Sequence, residues 1–126
     1  MGFKLERNPT FTYPMVIREL TDGGRYRTHQ FTAIYRHVGQ SRMEEIQLQY
    51  LAMKAAASRN EPIDRIPTRE IAAEIFAGWA DGIDDAEGQP LDCTPAGIAQ
   101  LLEVETVADV LVSTYFEAFE KARTKN

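Results

Sequence analysis

The residues best equipped for chemistry are a run of carboxylates, two histidines and one cysteine. Asp81, Asp84, Asp85 and Glu87 crowd into the segment 81–87. Oxygen-rich loops hold calcium when their ligands fall at fixed positions around a glycine. Here the pattern fails: with Gly88 as the sixth-position glycine, the first ligand falls on Ile83 and the twelfth on Thr94, where acids are needed. The segment reads instead as a solvated acidic turn. His29 and His37 lie on or near one strand, with no neighbouring cysteine and no spacing that aligns two imidazoles, so they are not expected to bind metal. Cys93 has no histidine close in sequence to activate its thiol, and no motif assembles a nucleophile, base and orienting acid. Gly23-Gly24 is not followed by a helix, so it does not cradle phosphate. No catalytic, cofactor-binding or metal residue is expected, and the chain is not expected to be an enzyme.

Composition narrows the classes further. The chain has 126 residues, enough for one domain with a packed core. Lys and Arg number 14 against 19 Asp and Glu, a net charge of −5 that lacks the positive field nucleic acid attracts. Nucleic acid is therefore not an expected partner. A single cysteine excludes an intrachain disulfide and suits a reducing cytoplasm. No apolar run resembles a signal peptide or approaches the roughly 18 residues of a membrane span, so a soluble protein without membrane association is expected.

The elements that must position these residues are legible. In residues 11–20, Phe11, Tyr13, Met15 and Ile17 share one face of an extended chain, and Pro14, which cannot donate to a ladder, means either an edge strand or pairing that begins after it. Thr21-Asp22-Gly23-Gly24 supplies a reversal, and residues 26–36 return with His29, Phe31, Ala33 and Tyr35 on one face. The hairpin spans 11–36. Ser41-Arg42-Met43-Glu44 reads as a capping box, opening a helix over 41–57 whose stripe is Met43, Ile46, Tyr50, Met53 and Ala57. A loop follows over 58–67. From Thr68, the spacing of Ile71, Ala72, Ile75, Phe76 and Trp79 predicts a second helix ending near Gly78 or Gly82, with Trp79 in the core. Residues 80–93 form a turn or small hairpin. Thr94-Pro95 caps a short helix to Leu102, and Thr106 opens the longest helix, to about Arg123. The expected fold class is α+β: an N-terminal antiparallel hairpin and about four helices (41–123) in one domain, with 1–10 and 124–126 flexible.

The last helix carries more apolar surface than a core stripe needs. Val110, Leu111, Thr114, Ala118 and Ala122 form that stripe, and Val112, Tyr115, Phe116 and Phe119 extend it to an arc of about 180°. Two readings stand: a central helix covered on both sides, or a surplus at Val112, Phe116 and Phe119 that meets another chain.

The order of segments resembles the tail assembly chaperones of long-tailed, siphovirus-like bacteriophages. The likeness runs through Gly78-Trp79, the acidic turn ending Glu87-Gly88-Gln89-Pro90-Leu91, Cys93-Thr94-Pro95, Leu101-Leu102, Val107, Val110-Leu111, Tyr115-Phe116-Glu117 and the basic tail 121–126. Phe31-Thr32-Ala33 and Tyr35-Arg36 resemble the family's second strand. The resemblance implies a non-enzymatic factor of virion morphogenesis in the host cytoplasm, absent from the mature virion. It would bind the tape measure protein and promote tail tube assembly. Its implied partners are the tape measure protein, the tail tube protein, further copies of itself in a homo-oligomer and a frameshift-extended form. A minor tail or head-tail completion protein retained in the virion is the alternative.

Overall fold

The computed structural model describes residues 9–62, 66–84, 87–104 and 106–124. The ends expected to be flexible fall mostly outside these residues, as do part of the 58–67 loop and Asp85 of the acidic segment. Thr10 and Thr124 are described, and both already belong to regular elements.

The fold is α+β, a three-stranded antiparallel sheet packed against helices. Strand β1 (Thr10–Leu20) pairs with β2 (Tyr26–Arg36) along its whole length, from Thr10 opposite Arg36 to Leu20 opposite Tyr26. The turn between them is closed by the backbone amide and hydroxyl of Thr21, which donate to the Arg25 carbonyl at 2.8 and 3.1 Å. Gly23 and Gly24 take φ of 74° and 73°, which residues with a Cβ rarely adopt. The alternation read from sequence holds: Met15, Ile17, Phe31, Ala33 and Tyr35 are buried, and Phe11 and Tyr13 pack against that core.

Helix α1 (Gln40–Ser58) starts one residue before the expected capping serine. Gly39 occupies the cap position and no side chain caps it. The capping box does not form, because the chain has entered the helix before Ser41 and the Glu44 carboxylate faces Gln40 Nε2 at 3.5 Å. The far end runs one residue past the expected 57, to Ser58, and turns at Asn60, whose φ of 56° suits asparagine. Its N–H and that of Glu61 donate to Ala57 and Ala56 carbonyls, a Schellman closure.

The main correction falls on residues 76–79. Helix α2 spans Ile66–Ile75, and the chain then becomes strand β3 (Phe76–Trp79), antiparallel to β2. Trp79 lies opposite Ala33 and Phe76 opposite Tyr35, with a register shift between Ile34 and Tyr35. The bulge absorbs the extra residue, Ala77, so Phe76 and Trp79 reach the core three positions apart. Strand residues with helical spacing continue the α2 stripe, which is why periodicity extends the helix too far. Gly78 takes φ of 143°, and a Cβ there would collide with Cys93 Sγ.

Helix α3 (Pro95–Leu102) has the expected Thr94 cap, whose hydroxyl accepts the Gly97 N–H at 3.2 Å. Helix α4 (Val107–Thr124) follows; at 18 residues it is one shorter than α1, so the longest helix is α1. The four helices surround one core, with α4 lying across the inner face of the sheet. Two tyrosines join them reciprocally. Tyr35 on β2 donates to the Leu111 carbonyl at 2.8 Å, and Tyr115 on α4 donates to the Arg36 carbonyl at 2.8 Å. Both side chains are fully buried, and burial raises both phenol pKa values, that of Tyr115 to about 12.

Candidate functional site

The acidic segment has a structural part. Asp81 Oδ2 accepts the Thr32 N–H at 3.0 Å and the Ala80 N–H donates to the Thr32 carbonyl at 3.0 Å, so the two prolong the β2–β3 ladder beyond Trp79. Asp84 bridges to Pro90, and the Leu91 N–H reaches the Ile83 carbonyl at 2.7 Å, so the two ends of the segment pair antiparallel. Among the described residues, no group of three or more His, Cys, Asp or Glu could hold a metal ion. The histidines are far apart in role: His29 Nε2 lies 3.2 Å from Glu19, whereas the His37 ring packs tilted against Phe11 and edge-on to Phe119. Cys93 is exposed.

The structure corrects the surplus surface read on α4. Val112 is fully buried in the core and cannot contribute to an outer patch. Phe116 and Phe119 are half-buried by their own chain: Phe116 meets Tyr50 of α1 at 5.3 Å between ring centroids, and Phe119 meets Phe11, His37 and Tyr115. The arc is wide because the helix is covered on two sides.

The exposed apolar surface lies elsewhere. Strand β3 pairs with β2 only near Ala33–Tyr35, so the outer half of the β1–β2 hairpin overhangs the rest of the sheet. Beneath the overhang, facing Gly82, Ile83, Asp84, Leu101, Val104, Thr106 and Val107, is a cleft of about 860 Å³. Ile17, Phe31 and Val107 form its buried floor. Leu20, Tyr26 and Val104 stand at its edges, 67%, 65% and 47% exposed. Clusters of large exposed apolar side chains around a concave floor mark binding sites. The polar side chains at this cleft include Glu19 and Asp84, with Arg27 3.8 Å from Glu19. Arg18 and His29 line it too, and His29 Nε2 lies 3.2 Å from Glu19, so such a site offers apolar burial with a rim of mixed charge. Each large aliphatic side chain it covers is worth about 1.5–3 kcal/mol of transfer free energy.

Thr106, at the cleft's edge, has φ of 73°, a strained conformation for a β-branched residue. Its carbonyl accepts the Val110 N–H at 2.9 Å and so starts α4. Sequence reasoning identified that start but missed the cleft. The available signal was Leu20 and Tyr26, large apolar residues set against a turn that would ordinarily be flanked by polar ones.

No protein-family model, curated protein or solved structure matches this chain. Among the described residues, no helix is long and apolar enough to cross a membrane.

Proposed function

We propose that this chain is a bacteriophage tail assembly chaperone, a non-enzymatic factor that binds the tape measure protein in the host cytoplasm and promotes tail tube assembly. The observation that carries the binding part is the cleft beneath the hairpin overhang, with its apolar floor and the exposed Leu20, Tyr26 and Val104. The resemblance in segment order supplies the client's identity. An amphipathic helical segment fits this chemistry: its apolar face covers Ile17 and Phe31, and its polar edges meet the mixed charge of Arg18, Glu19 and Asp84. A long client offers many such segments, and a homo-oligomer binding several at once gains avidity without any single tight contact. The tail tube protein and a frameshift-extended form would join the same assembly.

The test is co-expression with the tape measure protein that this reading predicts in the neighbouring reading frame, followed by pull-down. Wild type should retain the client in soluble form. Leu20→Ser with Tyr26→Ser should lose capture while keeping the wild-type far-UV spectrum, because both side chains are exposed. Capture unchanged by the pair would remove the cleft from the reading. Finding the chain in purified virions would favour the completion-protein alternative.

A further inference from the structure

Helix α1 carries two apolar stripes on opposite faces. Advancing about 100° per residue, Ile46, Tyr50 and Met53 lie on one side, and Leu48, Leu51, Ala52 and Ala55 lie on the other. The first stripe faces the protein: Ile46 and Tyr50 are buried, the Tyr50 ring packs against Phe116 at a tilt, and Met53 Sδ accepts the Thr68 hydroxyl at 2.7 Å. Its neighbour Arg42 locks the same side to α2 through Glu74 at 2.6 Å. The second stripe faces away. Leu48 is 70% exposed and Leu51 60%. Two leucines one turn apart on an outer helix face have no use in this chain's own core.

From this we infer that α1 is a homodimer helix, pairing antiparallel with α1 of a second copy through Leu48, Leu51, Ala52 and Ala55. Size and charge on this face select both the partner and the direction. A twofold axis between positions 51 and 52 sets Leu48 against Ala55 and Leu51 against Ala52. Each large side chain thus meets a small one, which lets two helices approach to about 8 Å. The same register sets Glu44, on the exposed face of the first turns, against Arg59 at the opposite end. Parallel pairing would instead stack Glu44 on Glu44 and leucine on leucine, with like charges opposed. Arg59 holds Glu61 of its own chain at 2.6 Å on an exposed surface, so the interhelical pair acts mainly on direction and register, and the leucines supply the affinity. The cleft lies at the hairpin tip and uses none of these residues, so the pairing does not depend on the client reading.

Sedimentation equilibrium on the isolated full chain tests this. Wild type should be a dimer at about 100 μM, and Leu48→Glu with Leu51→Glu should weaken association at least about tenfold, since each leucine is worth more than 1.4 kcal/mol when buried on both copies. Both side chains are exposed, so the monomer should keep its thermal midpoint; Leu48→Gln with Leu51→Gln provides a second variant without added charge. Direction is read separately. Glu44→Lys and Arg59→Glu should each weaken the dimer about threefold, and the two together should restore it, because the swapped charges face each other again only in antiparallel pairing. A monomeric wild type at that concentration, or a dimer indifferent to the leucine pairs, overturns the interface. Failure of the double charge swap to restore the dimer overturns the antiparallel register.

Discussion

Helices α1 and α4 have nearly equal lengths, 19 and 18 residues, and opposite fates in the fold. The first buries Ile46 and Tyr50; the second buries Val107, Ala108, Leu111, Val112 and Tyr115 and half-covers Phe116 and Phe119. The difference does not lie in the number of apolar residues. On α4 they form one continuous arc, and a continuous arc can be covered from two directions by the sheet and by α2. On α1 they divide between opposite faces, so one chain can cover only one set. The distribution of apolar residues around a helix, more than their abundance, decides whether it becomes a core or a contact.

The largest effects should therefore fall on α4. Tyr115→Ala removes a fully buried ring that touches Phe11, Tyr35 and Phe119, together with the bond to Arg36. A loss of about 3–5 kcal/mol is expected, measured as a shift of the urea midpoint at constant slope. Leu111→Ala should cost about 2–5 kcal/mol. On α1, Ile46→Ala should lie at the lower end of that range, about 2 kcal/mol, because a helix anchored at few points can shift to fill the cavity. Native-state hydrogen exchange sharpens the contrast: α1 amides should open at a lower free energy than the core amides of α4. Equal costs and equal protection would show that α1 is as deeply fixed as α4.

The same contrast explains what the sequence made legible. The hairpin was readable because one buried and one open face impose a period of two over its full length, from Phe11 to Tyr35. The Thr94 cap was readable because its hydroxyl acts within three residues. The capping box at Ser41 was not, since a local signal yields when the connection from β2 brings the chain into the helix earlier. Strand β3 was hidden by a bulge that lends Phe76 and Trp79 a helical spacing. Val112 looked like surplus because its cover comes from distant elements, and the cleft was invisible because it is formed by parts of the chain far apart in sequence. Leu48 and Leu51 give no separate signal, because one good stripe on α1 already accounts for a helix.

A smaller effect tests the reciprocal tyrosines that bind α4 to the sheet. Tyr35→Phe deletes the hydroxyl that donates to Leu111 and should cost about 1 kcal/mol. Tyr115→Phe should cost about as much, and because the rings lie 5.1 Å apart the double variant should depart from additivity. Both phenols are raised above the ordinary 10.0, chiefly by burial, and Tyr115 reaches about 12. The folded state therefore holds protons that the unfolded chain releases. Stability is fully present below pH 10 and falls as pH rises from there towards 12. The double Phe variant, already less stable at neutral pH, should lose less over that interval. An equal alkaline loss in the variant would place the titrating groups elsewhere.

The smallest effect belongs to the tie between α1 and the body of the protein. Arg42 grips Glu74 with Nε at 2.8 Å and Nη2 at 2.6 Å, and the guanidinium hydrogen bonds hold the Glu74 carboxyl below its ordinary value of 4.5. A carboxylate with a lowered folded pKa stabilises above its unfolded value, and that contribution disappears as pH falls through the lowered one. Both partners are more than a third exposed, so solvent screening keeps the gain small. Glu74→Gln should therefore lower the thermal midpoint slightly at pH 7, with the difference shrinking as pH falls below 4.5 and closing only once pH is below the lowered value of the folded carboxyl. The loss at pH 7 should appear first in α1, as faster amide exchange over 42–53 with α4 unchanged. If α4 loosened equally, the ion pair would be holding the core together, and α1 could not be the separately anchored helix that the contrast requires.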